Sequence, residues 1–504
     1  MRYFSLLLCL LPLAGMAQKK EFASFAEIGT TLHGGDHTPL WQNALQHGLS
    51  SVDNNGYLRA GVFVSDSLGH GWTWASGLDL AGTVGMDAHF FVQQAYADLS
   101  WSCLDLSVGS KELTSRLLNP ELSSGDLVWS GNARPIPQVR IGIFDYTPVF
   151  SSSWLAIRGE IAYGWWTDAN YLETASTAHL PEGEPQRWYT KKIKYHHKEF
   201  NLRIGKPAAR WELEVAYRLD NQFGGYIMHH PNKTWFPNEM DLGNGLKNYW
   251  NAFIPGKGDG GGGLEGEKIA REGNFLGSEM FRLNYKGNGY RLSAYMQNFF
   301  DDFSGMGKLN GFDGLWGLEY ASSNPRSFLK GVLFEYYQTT HQSGSLHGSD
   351  AADGEKTGGA DDYYNNYLYQ GWTHWGQGMA NPLIPSPAYF SDQIVRSIWG
   401  VASLDSPDTG YMGFPYNRVR AFHVGAYGCI APRWDYRVKC SVSRTWGTPF
   451  CPTLEPLDNC SGFVEARYRP SFCRDMQIVS SLSFDSGEIY GDNFGWQLKI
   501  RKAF

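Results

Sequence analysis

Apolar and polar residues alternate along most of the chain in runs of about ten residues, and turns rich in polar residues, glycine or proline separate the runs. In the run 210–220, RWELEVAYRLD, every odd position is apolar and every even position except Ala216 is charged. The run 435–443, DYRVKCSVS, repeats this pattern. A period of two residues is that of a β-strand. We predict seventeen strands, near 57–64, 72–84, 91–101, 104–112, 137–144, 154–166, 196–205, 210–220, 275–287, 290–300, 313–320, 328–339, 418–430, 435–444, 461–468, 476–484 and 496–504.

A tilted strand of about 9–11 residues crosses a bilayer, with its apolar face toward lipid and its polar face toward a lumen. Such a sheet must close, because an open edge has no hydrogen-bond partners in lipid. A soluble β-sandwich or propeller would show the same alternation. The long runs, the Trp and Tyr residues near their ends and the lack of a blade-length repeat favour the membrane. The predicted fold is all-β: a transmembrane outer-membrane antiparallel β-barrel of about 16–18 strands with long extracellular loops.

The two chain ends agree with export to the outer membrane of a Gram-negative bacterium. Residues 1–17 combine Arg2, an apolar run and small residues before a cleavage position, as signal peptides do. The last nine residues, WQLKIRKAF, form an alternating strand that stops on Phe504, the kind of ending that the barrel assembly machinery reads. We therefore expect a signal peptide, an N-terminal periplasmic segment at 18–50 and a barrel at 51–504, with its largest loop insertion at about 340–416.

The composition narrows the range of possible functions. The net charge of −7 argues against a nucleic-acid partner, and 15% aromatic residues with 59 glycines suit strands better than helices. Six of the seven cysteines lie beyond the signal peptide. An even number permits disulfides in an oxidising compartment, and Cys451–Cys460 is the first pair to expect. Free structural thiols are the alternative.

Catalytic and cofactor motifs are missing from the sequence. The glycines of IPGKGDGGGGLEGEK, residues 254–268, match a dinucleotide fingerprint in spacing only, because a proline precedes them and more glycine follows. No GxSxG or HExxH motif occurs. The histidines of HGGDH, at 33–37, and the pairs at 196–197 and 229–230 lack a completing ligand set. We expect no enzyme activity, no metal and no cofactor.

The segment 361–390, DDYYNNYLYQGWTHWGQGMANPLIPSPAYF, interleaves aromatic and amide side chains. Aromatic faces stack on sugar rings, and amides pair with hydroxyl groups. A glycan-binding surface is one interpretation, and an aromatic plug folded on itself above or inside the barrel is the other. The candidate glycan-binding residues here are Tyr363, Tyr364, Tyr367, Tyr369, Trp372 and Trp375.

A second distinctive segment, 122–143, passes from a polar loop through two prolines into a strand. The prolines fix φ and favour extended geometry at a strand start. Arg134 has two candidate roles, either a pairing with a lumenal carboxylate, Glu212 or Glu214, or contact with an acidic sugar. Trp129 and Arg134 are further candidate glycan-binding residues, and the expected lumenal or structural residues are Asn132, Pro135, Pro137, Glu212 and Glu214.

Several motifs together resemble the capsule assembly Wzi family of outer-membrane barrels. The most specific is NPELSSGDLVWSGNARPIPQVRIGI at 119–143. TPLWQNALQHG at 38–48, REGNFLGSEMFRLNYKG at 271–287 and YLYQGWTHWGQGMANPLIP at 367–385 are similar to further family segments, although Ala380 stands where the pattern has Gly. The resemblance covers about 25–504 and implies a barrel of about eighteen strands, closed by its loops.

The same resemblance implies a lectin-like protein that holds capsular polysaccharide or exopolysaccharide at the cell surface, with outer-membrane lipid around it, and that is neither an enzyme nor a cofactor protein. The alternative is a porin or polysaccharide-exit channel, with charged side chains such as Glu212 and Glu214 lining a wet lumen. Single-channel conductance separates the two, because a barrel that its loops plug should conduct little.

Overall fold

The structure is a computed structural model that describes residues 21–151, 153–178, 180, 182–183, 186–229, 239–255, 273–301, 303–344, 359–366, 368–390 and 413–504. The expected signal peptide, residues 1–17, and the candidate residue Tyr367 lie outside these ranges. None of the helices in these ranges combines the length and apolar character that a membrane crossing requires.

Eighteen of the described strands pair into one antiparallel sheet. They are β1 (Glu21–Gly34), β2 (Asn55–Gly69), β3 (Trp72–Val84), β4 (Phe90–Trp101), β5 (Leu104–Ser110), β6 (Gln138–Pro148), β7 (Leu155–Trp165), β9 (Lys194–Ile204), β10 (Trp211–Phe223), β13 (Asn274–Lys286), β14 (Tyr290–Phe300), β15 (Gly314–Ser322), β16 (Gly331–Gln338), β19 (Val419–Ala431), β20 (Trp434–Gly447), β21 (Pro452–Tyr468), β22 (Met476–Gly487) and β23 (Asn493–Ala503).

The connections carry the remaining described elements. A three-stranded sheet joins β8 (Tyr189–Lys191), β11 (Tyr226–Met228) and β12 (Glu239–Asp241), and a two-stranded one joins β17 (Thr373–His374) and β18 (Gln377–Gly378). The helices are α1 (Leu40–Asn43), α2 (Ala169–Thr177), α3 (Leu246–Phe253) and α4 (Phe303–Met306), with a 3₁₀ turn at Pro387–Phe390.

The large sheet closes on itself, because β1 pairs with β2 on one side and with β23 on the other. In the closing pair Ile28 lies opposite Ile500, and both side chains point outward from the barrel. Closure satisfies the edge hydrogen bonds that lipid cannot supply. The predicted antiparallel barrel of 16–18 strands is confirmed, with eighteen.

Side chains that alternate outward from the wall are large and apolar, including Leu482 and Trp496 on the neighbouring strands β22 and β23. Their inward neighbours are buried polar residues such as Ser481 and Gln497. This arrangement inverts the distribution of a soluble protein and is that of a transmembrane barrel.

Two expectations near the chain ends were wrong. The segment 18–50 is not a separate periplasmic piece, because β1 is a full barrel strand and residues 36–50 return into the lumen. A Cys451–Cys460 disulfide is excluded by the pairing of β21 with β20, which places Pro452 opposite Gly447 and Cys460 opposite Val442. These partners lie five residues apart on β20, about 16 Å, whereas a disulfide requires Cα atoms within about 7 Å.

The connections differ in length at the two barrel ends. Those that follow β2, β4, β6, β9, β13, β15, β19 and β21 are short turns, and Glu21 and Phe504 lie at the same end. The opposite end carries the long connections. Short turns face the periplasm in bacterial barrels, so the long connections mark the extracellular end.

Three of the long connections enter the lumen and pack together there. We call the residues 36–54, 111–137, 359–366 and 368–390 the plug. Its buried apolar side chains form one core with inward-facing wall residues such as Tyr195, Tyr295 and Tyr337. The helix α1 in the first segment packs against β21 and β22.

Candidate functional site

The plug segment 111–137 descends toward the periplasmic end and climbs back to the start of β6. At its lowest part, Glu121 accepts hydrogen bonds from Arg437 and Arg467, at 3.2 and 2.5 Å. Burial alone would raise the pKa of Glu121, but the two guanidinium groups outweigh it and lower the pKa to about 2. The lower end of the segment is therefore tied to the wall by ionised groups.

Higher in the lumen, the wall carboxylate Glu335 holds the same segment. It is fully buried and accepts hydrogen bonds from the Ser123 hydroxyl, at 2.7 Å, and the Ser124 backbone N–H, at 2.8 Å. The Tyr295 hydroxyl donates to the same carboxylate. A buried charge that accepts three hydrogen bonds is well satisfied, so this contact fixes the plug against β16.

Two local features explain the rigid passage into β6. The Asp126 carboxylate accepts the backbone N–H groups of Val128, at 2.8 Å, and Trp129, at 3.0 Å, which closes a turn. The Pro137 carbonyl then accepts the Trp165 N–H, at 3.1 Å, just before β6 begins. Pro135 and Pro137 thus lie where an extended backbone joins the wall and where a missing N–H does no harm.

Glycines allow the plug segments to approach closely. Gly48 has φ +71°, and a Cβ there would lie 2.9 Å from the Arg134 backbone nitrogen. Gly131 has φ +81°, and its Cβ would lie 2.7 Å from the His47 ring. Larger residues would separate the segments or strain the backbone at both positions.

Asn132 joins all three plug segments. Its side-chain N–H donates to the Gly378 carbonyl, at 2.8 Å, and its side-chain oxygen accepts the Leu45 N–H, at 2.9 Å. Its backbone carbonyl accepts the Gly48 N–H, at 3.0 Å. Asn132, one of the residues expected to be lumenal or structural, lies inside the lumen and links the plug segments.

Four of the candidate aromatic residues, Tyr363, Tyr364, Tyr369 and Trp372, form the core of the plug. All four are at most 1% exposed. The Tyr364 hydroxyl donates to the Leu127 carbonyl, at 2.8 Å, and the Trp372 ring N–H to the Val128 carbonyl, at 2.7 Å. These rings hold the fold of the plug and present no face to a ligand in this conformation.

Trp129 lies on the lower side of the plug. Its ring packs 5.6 Å from that of Tyr195 and lines a lumenal cavity of 160 Å³. Charged side chains on the wall side of this cavity form a network in which His197 contacts Asp220, at 3.0 Å, and Glu160, at 3.2 Å. Trp129 therefore does not share a surface with the loop aromatics at the outer end.

Glu212 and Glu214 lie on the lumenal face of β10, but neither pairs with Arg134. Glu212 accepts from Lys286, at 2.9 Å, and Glu214 from Asn284, at 3.0 Å, on the adjacent strand β13. The predicted pairing with Arg134 was wrong, because the two carboxylates are satisfied within the wall while Arg134 lies at the extracellular end.

Arg134 and Trp375, two of the candidate residues, meet at the extracellular mouth. The guanidinium carbon of Arg134 lies 3.7 Å from the Phe91 ring centroid and 4.3 Å from that of Trp375. Burial lowers the pKa of Arg134 to about 10, against the opposing charges of Asp87 and Asp168. The side chain remains a cation at neutral pH, held between two aromatic faces.

We call Arg134, Trp375, Tyr171 and Asp168 the mouth site. The rings of Tyr171 and Trp375 lie 6.0 Å apart and are both partly exposed. The Asp168 carboxylate accepts the Trp375 backbone N–H, at 3.2 Å, and burial raises the pKa of Asp168 to about 7. A cavity of 10 Å³ lies beside Arg134 and Trp375, between Ser50, Asp87 and Gln377.

At the mouth site, two hydrogen-bond donors have no partner among the described residues. They are the Arg134 Nε and the Trp375 ring N–H, and both are buried. The partly exposed aromatic pair beside a cation suits a ligand with ring C–H faces, while the two donors lie below the surface.

His374 fixes the backbone beneath this site. Its Nδ1 lies 2.8 Å from the Arg134 carbonyl, and its Nε2 lies 3.3 Å from the Thr167 N–H. Burial lowers the pKa of His374 to about 3, so the neutral ring donates from Nδ1 and accepts at Nε2. Sequence reasoning missed His374, Asp168, Tyr171 and Phe91, since none belongs to a motif that marks them.

Comparison with solved structures supports the architecture. Wzi of Escherichia coli, an outer membrane protein involved in group 1 capsule assembly and a carbohydrate-binding β-barrel, aligns with a TM-score of 0.52 and 12% identity. The alignment covers 94% of this chain and 83% of Wzi. The fold is that of an outer-membrane β-barrel. At this identity the similarity shows the fold alone.

OccD3 of Pseudomonas aeruginosa aligns with a TM-score of 0.45 and 8% identity, over 97% of this chain and 92% of its own. OccAB4 of Acinetobacter baumannii gives 0.45 and 9%, over 96% and 98%. Scores this low carry no argument about function. No protein-family model matches the chain, and no curated protein sequence matches it.

Proposed function

We propose that this outer-membrane barrel is a lectin-like anchor that holds capsular polysaccharide or exopolysaccharide at the cell surface. The observation that carries the proposal is the plug, which occupies the lumen and is hydrogen-bonded to the wall at several heights. Glu121 ties it near the periplasmic end and Glu335 higher up. A barrel built this way is better suited to surface attachment than to passage.

The mouth site is the proposed glycan contact. Trp375 and Tyr171 offer partly exposed rings at the extracellular end, and Arg134 adds a cation that suits an acidic sugar. Wzi, which shares the fold, is a carbohydrate-binding barrel, and the motifs at 119–143 and 367–385 resemble those of its family. Both similarities support this assignment.

We further propose two contacts of the barrel and its mode of action. The barrel contacts outer-membrane lipid through its apolar outer face, and the assembly machinery recognises its last strand through Phe504, which is highly exposed. The protein is proposed to work by binding alone, without catalysis, in agreement with the missing hydrolytic motifs.

The test is the partition of polysaccharide between cells and medium in a deletion strain of the native host. The strain is complemented with the wild-type gene, with Trp375→Ala or with Trp165→Ala. Trp165 is a matched control, because it is a partly exposed tryptophan at the same barrel end that points outward from the wall.

We expect the deletion to move polymer into the medium without changing its total amount. The wild type and Trp165→Ala should restore attachment, and Trp375→Ala should not. Unchanged partition in the deletion strain would contradict the anchor and leave the channel alternative, which planar-bilayer conductance then tests.

A further inference from the structure

The helix α3 lies outside the barrel, against the wall. On β9, Tyr195 and His197 point into the lumen, where they contact Trp129 and Asp220. Neighbouring strand positions point to opposite faces, so His196 points outward. The His196 ring lies 5.8 Å from that of Phe253 at the end of α3, which places the helix over the outer surface.

The inner face of α3 covers outward side chains of three strands. The Tyr163 hydroxyl of β7 donates to the Tyr249 carbonyl, at 2.9 Å, and the Tyr249 ring lies 5.1 Å from Phe223 of β10. Lys198 of β9 donates to the Phe253 carbonyl. His196 is completely buried as a result. The helix therefore shields polar side chains that would otherwise face the membrane.

The outer face of α3 is apolar and exposed. Leu246 and Trp250 on the helix and Ile254 directly after it are 89%, 60% and 49% exposed. A spacing of four residues places all three on one stripe. An exposed stripe of large apolar side chains on a helix that already packs through its other face indicates a second contact surface.

The position of α3 along the wall places it at the height of the membrane boundary. Tyr163 lies two residues from the extracellular end of β7, and His196 two residues from the extracellular end of β9. Two residues correspond to about 7 Å along a strand, so α3 lies beside the rim and not above it. The lipid-facing residues Trp165 and Phe200 are exposed on these same strands, and the stripe continues their apolar surface.

We propose that α3 is an interfacial helix whose stripe, Leu246, Trp250 and Ile254, inserts into the outer leaflet of the membrane. An amphipathic helix of this kind buries its apolar side chains at the boundary between headgroups and acyl chains. A protein partner fits less well. Three side chains offer a few hundred Å², whereas a stable interface buries roughly 800 Å² on each partner.

The experiment is photocrosslinking in living cells with the full-length chain. The photoreactive amino acid p-benzoylphenylalanine replaces Trp250 in one variant and Leu246 in a second. Phe200, exposed on the lipid-facing wall, is the positive control position, and Glu173, exposed on α2, is the control for an extracellular helix without the stripe. Heat-modifiable migration on gels verifies that each barrel is folded, and mass spectrometry identifies each adduct.

We expect lipid adducts at positions 250, 246 and 200 and at most one-tenth of that yield at 173. A protein adduct or a crosslinked dimer of this chain at position 250 would overturn the proposal. Lipid adducts at 200 without any at 250 and 246 would also overturn it, since they would place the stripe in water. The inference does not depend on the proposed glycan function.

Discussion

Glu335 is a buried wall residue that holds the middle of the plug. Replacing it by alanine leaves the Ser123 hydroxyl, the Ser124 N–H and the Tyr295 hydroxyl without their acceptor. Each unsatisfied buried donor costs about 1–3 kcal/mol. We predict that Glu335→Ala destabilises the plug by roughly 3–9 kcal/mol while the barrel still assembles. Cells should then become sensitive to large antibiotics that the outer membrane normally excludes.

The matched control is Glu212→Ala. Glu212 is also a lumenal carboxylate, but its partners Lys286 and Asn284 both lie on β13, so no plug contact is lost. Limited proteolysis should cleave segment 111–137 faster in Glu335→Ala than in Glu212→Ala. Equal protection in the two variants would show that Glu335 does not hold the plug.

Asp362 makes the plug sensitive to pH. Burial raises its pKa from 3.8 to about 7, although Asn365 and Asn417 donate hydrogen bonds to it. Because the folded pKa lies above the unfolded one, the folded state binds more protons between these values, and stability falls as pH rises through them. We predict that the free energy of unfolding in urea falls by roughly 2–3 kcal/mol more in the wild type than in Asp362→Asn between pH 5 and 8. Parallel pH profiles would contradict this prediction.

The barrel closes through β1, which pairs with β2 on one side and β23 on the other. Ile28 is exposed on its outer face opposite Ile500 of β23. A lysine facing lipid costs up to about 2–4 kcal/mol, depending on depth. We predict that Ile28→Lys lowers the yield of heat-resistant folded barrel several-fold, whereas Ile28→Leu does not. Equal yields would indicate that residues 21–34 do not face lipid.

Strand alternation predicted seventeen strands but not β1, and the residues show why. Phe22, Ile28 and Leu32 point outward, but the inward set includes Phe25, so apolar side chains lie on both faces. The alternation of apolar and polar residues is therefore weak in β1. Its position near the start of the chain suggested a separate segment. The runs with one charged face, such as 210–220, were easier to assign, because their apolar and charged positions alternate clearly.

The candidate site was harder to predict than the barrel. The interleaving of aromatic and amide residues at 361–390 is as typical of a self-packed plug as of a sugar surface, and burial alone distinguishes Trp372 from Trp375. The contact between Arg134 and Trp375 joins segments more than two hundred residues apart, and no local pattern encodes it. Gly48 and Gly131 gave no sign of the close approach they permit.

The plug predicts a closed lumen. The polar contacts at Glu121, Glu335 and Asn132 must break before the described plug segments can move aside. We predict no steady conductance from the purified wild-type barrel in planar bilayers, and discrete openings from Glu335→Ala. A wild-type conductance comparable to that of a general porin would support the channel alternative instead.

The extracellular mouth is the proposed glycan-binding surface. The most direct test is equilibrium binding of purified surface polysaccharide from the native host to the purified barrel in detergent, for the wild type, Trp375→Ala and Trp165→Ala. We predict saturable binding by the wild type and Trp165→Ala, and binding at least tenfold weaker by Trp375→Ala, a difference of about 1.4 kcal/mol or more. No binding by the wild type, or equal binding by all three proteins, would contradict the account.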